Sequence, residues 1–137
     1  MGDVLAAIIR WLHIASVATL IGGMLYASVV MMGAAGALAP DAAAALSEKS
    51  AARFRPLVWL AMAALIVSGA YNLISSPGHS SRYLVLLGIK LLLVMHVFAA
   101  AILATRPRNP RRTRQMIGAF LSGLVIILIS AYLRRIF

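Results

Sequence analysis

The sequence predicts an all-α integral membrane protein, a bundle of four antiparallel transmembrane helices. Hydrophobic residues make up 63% of the 137 residues and charged residues only 12%, about half the charged fraction of a soluble domain. The apolar residues fall into four long runs, each near the roughly 20 residues that cross a bilayer. A soluble chain of this size could not bury so much apolar surface, so an ordinary soluble enzyme is excluded.

The four predicted spans cover about 4–32, 57–74, 83–104 and 116–133, and residues 1–137 form one membrane domain. The connections are too short to hold a further soluble domain. Ahead of the second span, Pro40 and Asp41 open an Ala-rich stretch through Ala52, a pattern typical of a helix start. Pro56 is then expected near the N-terminus of the second span, where a missing backbone N–H costs little.

Loop charge predicts the orientation, because Lys and Arg accumulate in the cytoplasmic loops of membrane proteins. The first and third connections are the most basic and hold Lys49, Arg53, Arg55, Arg106, Arg108, Arg111, Arg112 and Arg114. We therefore expect a multi-pass protein of a bacterial-type inner (plasma) membrane with both termini outside. The basic residues behind the net charge of +10 lie mainly between the apolar runs, where they set the topology in the lipid bilayer, and no nucleic acid partner is expected.

Ionisable residues inside the predicted spans are candidate functional residues, because they are costly in a bilayer. Arg10 and His13 lie in the first span, and Lys90 and His96 lie in the third. From the outer ends of these spans, His13 lies roughly 13 Å deep, Lys90 roughly 10 Å and His96 roughly 20 Å.

Two histidines on different spans predict a b-type haem, because imidazole is a good axial ligand for haem iron. His13 and His96 would be the ligands, and Arg10 and Lys90 would contact the propionates. Lys90 is also a candidate catalytic group for proton transfer. In the alternative interpretation, each histidine binds a backbone carbonyl or a serine of a neighbouring helix, and Lys90 and Arg10 extend to the headgroups.

Copper is the alternative metal. Methionine sulfur and imidazole suit Cu(I), and Met24 and Met31 share a helix face with His13 at about 100° per residue. The competing interpretation is that these methionines fill gaps in an apolar core. Cysteine is absent, which excludes thiolate metal sites, disulfides and covalently attached haem.

Several short stretches of the sequence carry a family resemblance. Residues 10–15 read Arg-Trp-Leu-His-Ile-Ala and residues 21–26 read Ile-Gly-Gly-Met-Leu-Tyr. Residues 53–57 read Arg-Phe-Arg-Pro-Leu, residues 67–72 read Val-Ser-Gly-Ala-Tyr-Asn, and residues 87–94 read Leu-Gly-Ile-Lys-Leu-Leu-Leu-Val. Together they resemble the copper-resistance protein D (CopD) family, and they also look like the HemJ-type protoporphyrinogen oxidases, small four-span proteins that bind haem b.

The resemblance to the oxidases implies that His13 and Lys90 are the functional positions, whereas His96 lies outside both patterns. We therefore expect a haem b protein for electron transfer or porphyrin redox chemistry, and a membrane oxidoreductase if it is an enzyme. Expected partners are a quinone or a redox protein, with a homodimer or a larger membrane complex as the assembly. The alternatives are a CopD-like copper-handling or transport protein and a haem-free accessory subunit of a larger complex.

Overall fold

The protein is a bundle of four long helices, seen in a computed structural model that describes residues 1–75, 78 and 80–135. The helices are α1 (Gly2–Ala37), α2 (Pro40–Ile74), α3 (Ser81–Ala104) and α4 (Arg112–Arg135). All four are long and apolar enough to cross a membrane, and the described residues contain no strand. The predicted fold class is confirmed.

The packing of the helices fixes which side chains can meet. α1 packs on α2 and on α4, and α3 packs mainly on α4 and more sparsely on α2. This arrangement places α1 and α3, which run in the same direction, at diagonal corners of the bundle. Residues of α1 and α3 can therefore share a site only where both face the inside of the bundle.

The core is narrow and contains many small side chains. Leu20, Met24 and Val58 are buried with the alanines of α3 and α4, including Ala101 and Ala119. Leucines and isoleucines on the outward faces stay exposed. An apolar exterior around a small-residue core is the pattern of helices that pack on each other and are solvated by lipid.

α1 is longer than predicted and changes its winding near its end. The α-helix covers Gly2–Leu25, a π-helical segment covers Tyr26–Met31, and short turns carry the helix on to Ala37. The Ser28 hydroxyl donates to the carbonyl oxygen of Met24 at 2.6 Å. Such bonds from serine to the preceding turn disturb regular helix geometry, and π segments are wider than α-helices.

α2 also differs from the prediction, because it runs without a break through Pro56. Proline removes one hydrogen bond to the carbonyl four residues earlier, here that of Ala52. Both residues are exposed, so other groups can reach that carbonyl. With 35 residues the helix is roughly 50 Å long, well beyond the roughly 30 Å apolar core of a bilayer, and its first half extends past the apolar stretch that begins at Leu57.

A buried arginine ties the first half of α2 to the connection between α3 and α4. Arg112 is only 5% exposed, and its guanidinium donates to the carbonyl oxygens of Ala104 at 2.8 Å and Arg106 at 2.7 Å. It also donates to Ser47 Oγ at 2.7 Å and pairs with Glu48 Oε1 at 3.1 Å. From the sequence Arg112 is expected to act as an orienting loop charge, and in the structure it also holds the connection against α2.

The connection itself is held by further polar contacts. The backbone N–H of Arg108 donates to Glu48 Oε1 at 3.0 Å and to Oε2 at 3.1 Å. Asn109 Nδ2 donates to the Leu103 carbonyl oxygen at 2.6 Å and to Gln115 Oε1 at 2.7 Å. We call this end of the bundle, with residues 40–56 of α2 and the connection 105–111, the basic end.

Two neighbouring glycines give a sharp test of the packing between α1 and α2. A Cβ built at Gly23 would collide with the ring of Phe54, whereas one at Gly22 would meet nothing within 4 Å. We expect Gly23→Ala to lower the free energy of unfolding by about 1–3 kcal/mol, as overpacked cores do. Gly22→Ala should be neutral or stabilising, because alanine favours the helix. Reversible unfolding in detergent measures the stability of both variants. Equal losses of stability would contradict the contact between Gly23 and Phe54.

Candidate functional site

His13 on α1 is joined to Ser68 on α2. Nδ1 of His13 lies 2.8 Å from Ser68 Oγ, and Ser68 is fully buried while His13 is half-buried. Gly69 lies beside the ring, since a Cβ at this position would be 3.9 Å from Cε1 of His13. The lack of a side chain at Gly69 therefore leaves room next to the imidazole.

The bonds of Ser68 favour one tautomer of His13. The Ser68 hydroxyl donates to the carbonyl oxygen of Ala64 at 2.6 Å. Because its one proton is used there, the oxygen accepts from Nδ1–H of His13. The neutral imidazole then carries its lone pair on Nε2, for which no hydrogen-bond partner exists among the described residues.

Lys90 lies on α3 in the same half of the bundle as His13 on α1. Lys90 is half-buried, and Arg10 is exposed on α1. The structure thus joins His13 of α1 to Ser68 of α2, while Lys90 belongs to α3, at the diagonal corner of the bundle. The similar depths estimated for His13 and Lys90 agree with their place in the same half of the bundle.

His96 occupies a different place, in the contact between α3 and α4. Its Nδ1 lies 2.9 Å from Ser122 Oγ on α4, and the side chain is exposed on the outside of the bundle. No contact within the described part of the chain joins His96 to His13. Both histidines therefore bind a serine of a neighbouring helix, which was the alternative interpretation of the sequence.

The two methionines considered for copper lie in the core. Met24 is fully buried in the core cluster, and the half-buried Met31 packs against it. Within residues 1–75, 78 and 80–135, no group of three or more His, Cys, Asp or Glu could hold a metal ion. The methionines therefore have the surroundings of gap-filling side chains.

Ser68 is the site residue that sequence reasoning did not single out. It lies 55 residues from His13, in the stretch 67–72 that carries part of the family resemblance, but the resemblance assigned it no role. Its place as a polar residue inside the second predicted span is the other signal that points to it. Comparison with family models, curated proteins and solved structures finds no match to this chain, so the site is interpreted from its own residues.

Proposed function

We propose that this protein binds haem b within its membrane bundle, with His13 as an axial ligand through Nε2. The observation that carries the proposal is the hydrogen bond from His13 to Ser68. Histidines that bind a metal donate their other ring N–H to a fixed acceptor, which sets the tautomer and the orientation of the ring. Ser68 supplies this acceptor from a buried position.

The donor set fits a haem better than a bare metal ion. A bare ion needs several protein ligands, and the described residues hold no group of three or more His, Cys, Asp or Glu that could supply them, while Met24 is packed in the core. Haem iron is already held by the porphyrin nitrogens and needs only one or two axial ligands. One oriented imidazole in an apolar bundle meets this need, which favours haem over the CopD-like copper alternative.

Lys90 supports the same proposal through its charge. Lys90 is half-buried on α3 in the same half of the bundle as His13, and haem carries two propionates that a nearby cation can stabilise in a low-dielectric environment. In this proposal Lys90 pairs with a propionate, and the exposed Arg10 can reach the second from the rim of the bundle. When bound, the haem would supply one-electron redox chemistry, while these side chains bind and orient it.

We further propose that the chain lies in a bacterial-type inner membrane with both termini outside, as its loop charges favour. His13 and Lys90 lie in the half of the bundle away from the basic end. A quinone, a redox protein or a porphyrin substrate would then approach from the outer side, for electron transfer or porphyrin redox chemistry.

The test is a dithionite-reduced minus oxidised absorption spectrum of the protein purified in detergent after expression with ample haem supply. We expect a Soret band and a sharp α band, with a pyridine haemochrome of the b type. Far-UV circular dichroism of the same sample checks that the helices are folded. A flat difference spectrum from a folded sample, or copper retained in place of haem, would overturn the proposal.

A further inference from the structure

A cleft of 290 Å³ opens at the basic end, between α2 and the connection that follows α3. Lys49 and Arg55 line it from α2, and Thr105 and Pro107 line it from the connection. Lys49 and Arg55 are exposed, and neither side chain makes a hydrogen bond or an ion pair within the described part of the chain. The cleft therefore holds two cationic side chains that no protein group neutralises.

The acidic residue of the cleft does not cancel this charge. Glu48 also lines it, but both of its carboxylate oxygens accept from the backbone N–H of Arg108. Oε1 in addition pairs with the Arg112 guanidinium. Glu48 is thus engaged in holding the connection in place, and the field in the cleft stays positive.

The cleft lies at the level where the apolar helices end. Arg55 comes two residues before Leu57, the start of the apolar stretch of α2, and Thr105 directly follows Ala104, the last residue of α3. Leu57 and Leu60 are exposed just inside this level on α2, and Leu103 is exposed on α3. A ligand in the cleft would have cations around its polar part and bare leucines beside its apolar part.

We propose that the cleft binds the headgroup of an anionic phospholipid, with its acyl chains along the exposed leucines. Arg55 suits a phosphodiester because its guanidinium presents paired N–H donors, and Lys49 adds a second positive charge. Basic groups at the surface of a membrane attract anionic lipids, and the exposed Arg106, Arg108 and Arg111 strengthen the potential. This proposal is independent of haem binding, which involves the other half of the bundle.

Native mass spectrometry of the full chain in detergent tests the proposal, with phosphatidylglycerol and phosphatidylcholine of identical acyl chains as probes. We expect the protein to retain phosphatidylglycerol in preference to phosphatidylcholine. The double variant Lys49→Gln/Arg55→Gln should bind phosphatidylglycerol roughly thirtyfold more weakly, because each of the two cations contributes about 1 kcal/mol at the membrane surface. Both residues are exposed and unpaired, and unchanged helicity by circular dichroism verifies that the variant is folded.

The double variant Arg134→Gln/Arg135→Gln is the matched control, since it removes the same charge from the other end of the bundle. It should bind phosphatidylglycerol within about twofold of the parent protein, because no cleft residue changes. Equal losses in the two double variants would show general charge attraction and overturn the site. Displacement of the lipid by millimolar inorganic phosphate would show a phosphate site instead and would equally overturn the proposal.

Discussion

Replacing His13 with alanine is expected to abolish haem binding, with loss of the Soret band from the purified protein. The variant lacks the imidazole whose Nε2 lone pair is left free by the hydrogen bond to Ser68. Without this imidazole, the iron has no axial ligand of comparable strength at this position in the apolar bundle. Haem content per folded protein, from the pyridine haemochrome and amino-acid analysis, should fall by roughly tenfold or more.

His96→Ala is the matched control, because it makes the same chemical change at the other membrane histidine. His96 is exposed and is hydrogen-bonded to Ser122 on α4, away from His13, so we expect this variant to keep its α band. If both variants lost the haem equally, the iron would be held by the two histidines together. The arrangement proposed here, with His13 oriented by Ser68 and assisted by Lys90, would then be wrong.

Ser68→Ala separates orientation of the ligand from ligation itself. The variant keeps the imidazole but removes the acceptor that fixes Nδ1–H, and loss of such a partner weakens metal affinity by about 10–100-fold. We expect haem to bind to this variant at high haem concentration with a shifted Soret position. An unchanged affinity would show that Ser68 only fills space between α1 and α2.

The fold could be predicted from the sequence because the bilayer restricts the choices. Four apolar runs leave few structures other than helices, since every backbone polar group must be satisfied internally. The lengths of the helices were harder to predict, because α1 continues to Ala37 and α2 runs through Pro56. Where a helix ends and how it is wound depend on local backbone geometry, such as the π-helical segment Tyr26–Met31 of α1, which hydropathy does not register.

The candidate site could be predicted only in part. His13 and Lys90 stood out because ionisable residues are rare in membrane spans, and similar depths placed them near each other. Their partners depend on which helix faces which, and this follows from side-chain packing across the bundle. Ser68 therefore could not be distinguished from other span serines, and His96 could not be assigned to the contact with Ser122.

The role of Arg112 also depends on packing that the sequence does not reveal. Its replacement is expected to destabilise the protein more than the loss of any other charged residue in the connection. Arg112→Gln would leave the carbonyl oxygen of Ala104 without its donor, and Ala104 is fully buried. A buried polar group left unpaired costs about 1–3 kcal/mol, and the bonds to Ser47 and Glu48 are lost as well. We expect the free energy of unfolding to fall by about 2–4 kcal/mol.

Reversible unfolding in mixed micelles, followed by far-UV circular dichroism, measures this loss. Arg111→Gln is the matched control, since Arg111 is the neighbouring, exposed arginine and its bonds come from the backbone alone. Its N–H donates to Asn109 Oδ1, and its carbonyl oxygen accepts from the N–H of Gln115. An exposed substitution of this kind changes stability by about 0.5 kcal/mol or less. Similar small effects in both variants would mean that Arg112 acts mainly as an orienting charge. A large effect confined to Arg112→Gln would instead show that its bonds hold the first half of α2 on the bundle, and with it the wall of the lipid cleft.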